Sequence, residues 1–205
     1  MTELALAAFA AHSDSHVVTA PRDERFRRFL RSFDEGPYLA RLEREGVRWL
    51  PRSSPQFPRS LAAIFDCPPG LFLRGSGAAE ILDRPAVALV GARSCSPYGG
   101  EVARMLGCEL AAAGLVVVRG LARGVDGHAH RGALEAGGLT AAVLGCGIDR
   151  DYPAAHAELA RRIAEHGLVV SEYAPGVEPA PWRFPARCRD YAACLCFDLE
   201  ETFGR

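Results

Sequence analysis

The chain contains no lysine, and all 24 of its basic residues are arginine. The planar guanidinium group suits phosphate because it donates two parallel hydrogen bonds. A base-composition bias of the source genome produces the same pattern, so the absence of lysine alone does not indicate a phosphate ligand. The formal net charge is −1, which excludes a uniformly basic surface. Any nucleic-acid partner must therefore meet a local patch of arginines.

Metal-binding and membrane-spanning patterns are also missing. The seven cysteines are odd in number and include no C-x-x-C pair, which argues against a zinc site or a disulfide framework. We therefore expect no metal, no cofactor, and free thiols as in a cytoplasmic protein. The apolar stretch of residues 4–11 is too short to cross a bilayer, and it follows Glu3 rather than a basic segment. The sequence predicts neither a signal peptide nor membrane insertion.

Patterns that indicate catalysis or a bound dinucleotide are absent as well. Ser94, Ser96 and Ser171 do not lie in a G-x-S-x-G turn, which would expose a nucleophilic serine. Nothing assigns Asp126 or Glu172 the work of a general acid or base. The G-x-G-x-x-G fingerprint of dinucleotide sites does not occur after the first apolar run. We expect that the protein is not an enzyme.

Four apolar runs alternate with helix-like segments in the second part of the chain. The helix-like residues 97–113, 125–136 and 155–166 separate the runs PAVALVG (85–91), LVVVRG (115–120), TAAVLGCG (140–147) and LVVSEY (168–173). Short runs that are apolar on both faces are typical of a parallel sheet covered by helices. We predict an α/β fold with a parallel sheet and helices on both faces over residues 84–205. A small, mostly helical segment and connector, residues 1–83, precedes it.

The N-terminal segment contains the basic run RDERFRRFLRSF (22–33). An amphipathic helix over residues 24–33 has an apolar face made of Phe26, Phe29, Leu30 and Phe33. This helix is either a peripheral helix or a basic arm that contacts nucleic acid. A second helix is expected over residues 34–45, and a proline-rich connector with a short helix around SLAAIF (60–65) over residues 51–70.

The first candidate site lies in the loop GARSCSPYGG (91–100). In open α/β sheets, ligands bind beyond the carboxyl ends of the strands, and this loop follows the first apolar run. Ser96 is placed to cap the next helix, and Pro97 suits its first turn. The free N–H groups of that helix end attract an anion, and Arg93 adds a guanidinium group. The loop therefore predicts a phosphate site.

The later loops add glycines, charges and aromatic residues. The second loop, RGLARGVDGHAH (119–130), has two glycines and Arg123, and Asp126 is placed to cap the following helix. The third loop, GCGIDRDYP (145–153), is a glycine turn with charged residues. The fourth loop ends in alternating aromatic and basic residues, namely Trp182, Arg183, Phe184, Arg187 and Arg189. Such alternation serves sequence-tolerant binding of single strands, although it is more often ordinary surface.

Taken together, these motifs resemble the DprA/Smf family of bacterial DNA-processing proteins. The matching strings are GAR (91–93), RGLARGVDGHAHRGALEAGG (119–138), TAAVLGCGIDRDYP (140–153), SEYAPG (171–176) and FPAR (184–187). Their order and spacing agree with the family from about Val87 to Arg187. Residues 42–75 are similar to the segment that precedes the Rossmann-like domain of the family. The combination is specific, although no single motif is.

The resemblance implies a Rossmann-like fold that binds single-stranded DNA in a basic pocket and has no established catalytic step. It also implies a homodimer that delivers DNA to a RecA-type recombinase during natural transformation. The phosphate motif Gly-x-Arg of the family corresponds to Gly91 and Arg93, and its second glycine motif to Gly120, Gly124 and Asp126. The candidate DNA phosphate-binding residues are Gly91, Arg93, Ser94, Ser96, Gly120, Arg123, Gly124, Arg187 and Arg189, with Asp126 as a structural cap.

The sequence also departs from the family pattern. Arg119 stands where a small residue is usual, Ala154-Ala155 where a basic residue is frequent, and Cys188 where the family has asparagine. After Arg189 the resemblance ends, which predicts a sheet that stops early, with an unpaired strand and marginal stability or self-association. The residues CLCFDLEE (194–201) are a candidate for one substitute strand.

Two alternative functions remain open. A nucleotide-processing enzyme of the lysine-decarboxylase-like phosphoribohydrolase type has the same fold, but its motif P-G-G-x-G-T-x-x-E does not occur here. The other alternative is a non-functional remnant that folds only in part.

Overall fold

A computed structural model of the chain describes residues 2–13, 24–186 and 195–198. The helices are α1 (Glu3–Ser13), α2 (Glu24–Ser32), α3 (Glu35–Arg44), α4 (Arg59–Ala62), α5 (Pro97–Ala112), α6 (Val125–Glu135), α7 (Ala157–His166) and α8 (Arg183–Ala186). The strands are β1 (Val47–Pro51), β2 (Gly70–Arg74), β3 (Ala86–Val90), β4 (Val116–Arg119), β5 (Thr140–Val143), β6 (Leu168–Ser171) and β7 (Leu195–Asp198). Short 3₁₀ helices cover Ala79–Asp83 and Ala154–His156. The strands form one sheet in the order β1-β2-β6-β5-β4-β3-β7.

The central strands β3, β4, β5 and β6 are parallel, and each lies beside its neighbour in the chain. Because every crossover moves in the same direction along the sheet, α5, α6 and α7 pack on one face, over Val117 and Ala142. The other face carries Leu61 of α4 and Ile81 of a 3₁₀ helix, which pack in one cluster with Val118. The predicted α/β, Rossmann-like fold is confirmed.

Two strands were not predicted, and both come from the segment before Asp83. Strand β1 pairs with β2, and β2 with β6, in antiparallel orientation, so the sheet is mixed. Trp49 of β1 lies opposite Phe72 of β2, with ring centroids 4.6 Å apart. The proline of β1, Pro51, is tolerated because β1 is an edge strand. The division of the chain near Asp83 stays a prediction.

The other predicted elements lie close to their expected bounds. Helices α2 and α3 confirm the two N-terminal helices, and the Asp34 side chain caps α3 by accepting a hydrogen bond from the Gly36 N–H at 3.2 Å. The strand predicted within residues 194–201 is β7, which pairs with β3 in parallel orientation. The side of β3 that faces away from β4 is therefore covered by β7, so β3 is not left unpaired. Within the described ranges, no helix is long and apolar enough to cross a membrane.

Helices α5 and α6 pack unusually closely, through glycine. A Cβ atom at Gly132 of α6 would lie 1.9 Å from the Arg104 carbonyl oxygen, and one at Gly107 of α5 would lie 2.3 Å from that of Ala129. Any side chain at either position would force the two backbones apart. Because α5 and α6 follow the parallel strands β3 and β4, their N-terminal ends lie at the same edge of the sheet.

A buried histidine connects α6 to the sheet. The His130 Nδ1 lies 2.7 Å from the Thr140 Oγ1, and the Thr140 hydroxyl donates a hydrogen bond to the Val117 carbonyl oxygen at 2.6 Å. Since that hydroxyl has used its proton, His130 donates from Nδ1. Burial lowers the pKa of His130 to about 3, so the ring is neutral in the folded protein.

Acidification should destabilise the protein through His130. The unfolded chain takes up a proton near the ordinary pKa of 6.5, whereas folded His130 stays neutral down to about pH 3. This contribution to stability is complete above pH 6.5 and is lost below it, by about 1.4 kcal/mol per pH unit. Urea unfolding at a series of pH values should show this slope in the wild type and a reduced one in His130→Gln. The exposed His166→Gln serves as control, and equal slopes in wild type and His130→Gln would contradict the prediction.

Candidate nucleic-acid interface

The loops that follow β3 to β6 meet at the carboxyl edge of the sheet and surround a cleft of about 550 Å³. The lining residues are Arg93, Gly120, Ala122, Arg123, Asp151, Tyr152, Pro153, Ala154 and Phe184. This is the edge at which open α/β sheets bind their ligands. The first two loops form one wall of the cleft, and the third and fourth loops form the other.

The first two loops are packed directly on each other. The Val125 N–H donates a hydrogen bond to the Ala92 carbonyl oxygen at 3.2 Å. Gly124 has a φ of +71°, and a Cβ atom there would lie 2.2 Å from the same oxygen. A Cβ atom at Gly91 would lie 2.6 Å from the Val125 Cγ2. Gly91 and Gly124, which we predicted to bind phosphate, therefore have a packing role that joins the two loops.

The carboxylate of Asp126 holds the second loop in place by accepting hydrogen bonds from it. Its Oδ1 accepts a hydrogen bond from the Arg119 Nε at 3.0 Å, and its Oδ2 accepts from the N–H groups of Gly120 and Ala122 at 3.1 and 3.2 Å. Both charged side chains are almost completely buried. The expectation that Asp126 caps α6 is corrected, because Gly124 occupies the N-cap position. The Gly120 N–H is also already engaged, which leaves it unavailable to a phosphate.

Helix α5 has the cap that its sequence predicts. The Ser96 Oγ accepts a hydrogen bond from the Gly99 N–H at 3.1 Å, and Pro97 is the first helical residue. Ser94 is exposed in the preceding turn and does not line the cleft. The N-terminal end of α6 follows directly on Arg123, a lining residue of the cleft, and its partial positive charge favours an anion there.

The third and fourth loops are fixed to each other by hydrogen bonds. The Gly176 N–H donates to the Asp149 Oδ1 at 2.9 Å. The Ser171 hydroxyl donates to the Cys146 carbonyl oxygen at 2.7 Å. Ser171 thus has a structural role at the end of β6, and the second wall of the cleft is held by contacts between neighbouring loops.

Two aromatic rings from this second wall face the cleft. Tyr152 and Phe184 are stacked, with ring centroids 5.5 Å apart and an angle of 28° between the ring planes. The guanidinium carbon of Arg93, from the opposite wall, lies 5.4 Å from the centroid of Phe184. Tyr152 is 45% exposed, so part of its surface is open to a further planar group. Sequence reasoning had not singled out Tyr152, although it follows directly on the charged residues of the third loop.

The other residues of the predicted aromatic and basic stretch behave differently. Arg183 is buried, and its guanidinium carbon lies 4.7 Å from the ring centroid of Trp182 and 5.3 Å from that of Tyr173. The same side chain donates a hydrogen bond to the Glu178 carbonyl oxygen. Arg183 therefore stabilises the fourth loop from within. Arg187 and Arg189 lie outside the described residues.

Ion pairing leaves a positive charge in the cleft. Asp151, the acidic residue of the lining, pairs with Arg74 at 2.5 Å between Oδ1 and Nη2. Arg119 is neutralised by Asp126. Arg93 and Arg123 are exposed, and within the described ranges neither forms an ion pair. A chain of net charge −1 thus presents two uncompensated guanidinium groups beside an aromatic wall.

Fold and cleft together define a Rossmann-like α/β protein with a candidate anion-binding site at the carboxyl ends of its parallel strands. The sequence profile of the family described as DNA recombination-mediator protein A matches residues 48–197. The chain therefore belongs to this family, which is the DprA/Smf family that its motifs resemble. The match continues to residue 197, so the expectation that the resemblance ends at Arg189 is corrected.

Proteins from several bacteria are similar to this chain. DNA processing protein DprA of Streptococcus pneumoniae is 43% identical over 142 residues, which make up 68% of this chain and 48% of that protein. Its X-ray structure matches with a TM-score of 0.71 at 32% identity, over 93% of this chain and 69% of that one. A Helicobacter pylori DNA processing protein A structure, described for its single-stranded DNA binding mode, matches with a TM-score of 0.66 at 31% identity, over 74% and 68% of the two chains. The chain spans about half the length of the S. pneumoniae relative.

The buried pair of Arg119 and Asp126 generates a stability prediction. Arg119→Leu or Asp126→Asn leaves one buried charge without its partner, and each should lower the free energy of unfolding by about 3–5 kcal/mol. The double variant should lose less than the sum of the single losses, because it buries no unpaired charge. Urea unfolding of the four proteins measures this coupling.

The exposed pair of Arg161 and Glu158 provides the matched control. The same cycle with Arg161→Leu and Glu158→Gln should show little coupling, because solvent screens the two charges. Additive effects of Arg119→Leu and Asp126→Asn would show that the two buried side chains are not coupled.

Proposed function

We propose that the chain binds single-stranded DNA in the cleft between its first two loops and its third and fourth loops, and acts in DNA processing during natural transformation. The observation that carries the proposal is the pair of unpaired guanidinium groups, Arg93 and Arg123, beside the rings of Tyr152 and Phe184. Guanidinium groups neutralise backbone phosphates, and aromatic rings stack on bases of any sequence. Single-strand binding is also what the H. pylori relative is described for.

The shape of the cleft favours an unpaired nucleotide over a duplex. Its volume of about 550 Å³ falls within the roughly 300–1,000 Å³ of pockets that hold small ligands. A base reaches the open surface of Tyr152 only when it is unstacked and unpaired, whereas a duplex would offer the cleft its phosphates alone. The proposed ligand is therefore a single strand, held by its phosphates at Arg93 and Arg123 and by a base at Tyr152.

The wider role of the protein is proposed from its family. A homodimer in the cytoplasm would bind incoming single strands and deliver them to a RecA-type recombinase. Binding would involve no catalytic step, since the carboxylates nearest to the cleft are engaged: Asp151 pairs with Arg74, and Asp126 with Arg119.

Removal of the cleft arginines should weaken DNA binding without regard to sequence. Arg93→Ala and Arg123→Ala each leave one DNA phosphate without its guanidinium partner, and the slope of log K against log salt should fall by about 0.7 for each such phosphate. Fluorescence anisotropy with labelled oligonucleotides of several sequences measures both quantities. Arg84→Ala, an exposed residue remote from the cleft lining, is the matched control. Unchanged affinity and slope in both cleft variants would exclude this cleft as the DNA site.

The aromatic wall can be tested separately. Tyr152→Ala should weaken the binding of single strands by about 1–3 kcal/mol, the usual effect of removing the ring on which one base stacks. Tyr152→Phe keeps the ring and should bind as the wild type does. Neither substitution removes a charge, so the salt slope should stay constant in both. An equal weakening in the two variants would point to the hydroxyl group and contradict stacking.

The absence of turnover is also testable. The purified protein, incubated with nucleoside monophosphates, should release neither base nor phosphate when the products are followed by chromatography. Release that is sensitive to Arg93→Ala would favour the phosphoribohydrolase alternative, and would contradict the proposal of a purely binding protein.

A further inference from the structure

Helix α2 is fixed to the body of the protein by a series of aromatic contacts. The ring centroid of Phe9 in α1 lies 5.2 Å from that of Phe26 and 5.5 Å from that of Phe29. Phe33 continues the series, 5.1 Å from Phe29 and 5.4 Å from Tyr38 of α3. Phe26 is 2% exposed. The apolar side of α2 is therefore used in folding, and the helix is held in one orientation.

The opposite side of α2 carries three arginines. Arg27, Arg28 and Arg31 lie at positions i, i+1 and i+4, which places them along one exposed face of the helix. Within the described residues none of the three forms an ion pair. This second group of uncompensated cations lies before residue 48, where the match to the family profile begins. The family's common site therefore does not account for it.

The end of α2 lies near the loop that forms the second wall of the cleft. Phe33 and Tyr38 pack against a core cluster that also contains Cys146 and Ile148 of the third loop. The ring of Tyr38 contacts that of Phe33, the residue just beyond the end of α2. The same third loop supplies Tyr152 to the cleft. The end of α2 and the third loop therefore share one core cluster.

We propose that Arg27, Arg28 and Arg31 form a second contact for the phosphate backbone of the strand that occupies the cleft. The inference rests on the proposed function of the cleft, and it extends the DNA path onto the N-terminal segment. A membrane surface is the less suitable partner, because a helix that binds lipid inserts its apolar face. In α2 that face is packed against α1. Arginines on a helix whose apolar face is already packed suit a soluble polyanion.

The test compares short and long single strands on the full chain. Arg27→Ala/Arg28→Ala/Arg31→Ala should bind an oligonucleotide of about 5 nucleotides as the wild type does, since such a strand fills little more than the cleft. The same variant should bind a strand of about 30 nucleotides roughly tenfold more weakly, with a salt slope reduced by about 2, or about 0.7 for each of three phosphates. Arg52→Ala/Arg59→Ala/Arg84→Ala removes three other exposed arginines and should change neither affinity.

The outcomes separate this inference from the proposed function. If Arg93→Ala weakens both strands while the α2 variant binds the long strand normally, the second contact is excluded and the cleft stands. If the α2 variant weakens the long strand while Arg93→Ala has no effect, α2 binds DNA and the cleft does not. If the Arg52→Ala/Arg59→Ala/Arg84→Ala variant binds the long strand equally weakly, the loss of affinity comes from net charge alone and the inference is overturned. Binding of anionic lipid vesicles that the α2 substitutions abolish, without any effect on DNA, would overturn it in favour of a membrane.

Discussion

Burial of the Asp126 carboxylate determines the shape of the cleft. An ion taken out of water costs several kcal/mol unless partners surround it, and Asp126 has the Arg119 guanidinium group and two backbone N–H groups. The second loop cannot open without uncovering this charge. Because Gly124 of the same loop is pressed against the Ala92 carbonyl oxygen, the first loop is fixed as well. The positions of both loops thus follow from one satisfied carboxylate and one close backbone contact.

The arginines of this lysine-free chain have distinct roles that depend on their neighbours. Arg119 and Arg183 are buried and support loops, whereas Arg74 balances the carboxylate of Asp151. Among the described residues, Arg93 and Arg123 have no carboxylate partner, and we propose that they bind an anion. A net charge of −1 is therefore compatible with nucleic-acid binding, since the attraction acts locally and is strongest where no carboxylate competes. The contacts of each guanidinium group, not the number of arginines, identify the site.

The sequence predicted those parts of the structure that depend on local patterns. The strands β3 to β6 were found because parallel strands buried on both faces are continuous apolar runs. The strands β1 and β2 were missed because prolines made their surroundings look like a connector. The role of Asp126 was misread because an acidic residue at the start of a helix has the same local pattern, whether it caps that helix or accepts hydrogen bonds from the preceding loop. The stack of Tyr152 on Phe184 joins residues from different loops, which spacing alone cannot reveal.

We propose that Arg93 and Arg123 are the arginines of the cleft that bind phosphate. NMR spectra of the arginine Nε–H groups, recorded during titration with an oligothymidine, test it most directly. We expect the signals of Arg93 and Arg123 to move as the strand binds, while those of Arg119 and Arg183 stay in place because their partners are internal. Movement of the Arg119 signal with no change at Arg93 and Arg123 would show that these two arginines are not the phosphate ligands.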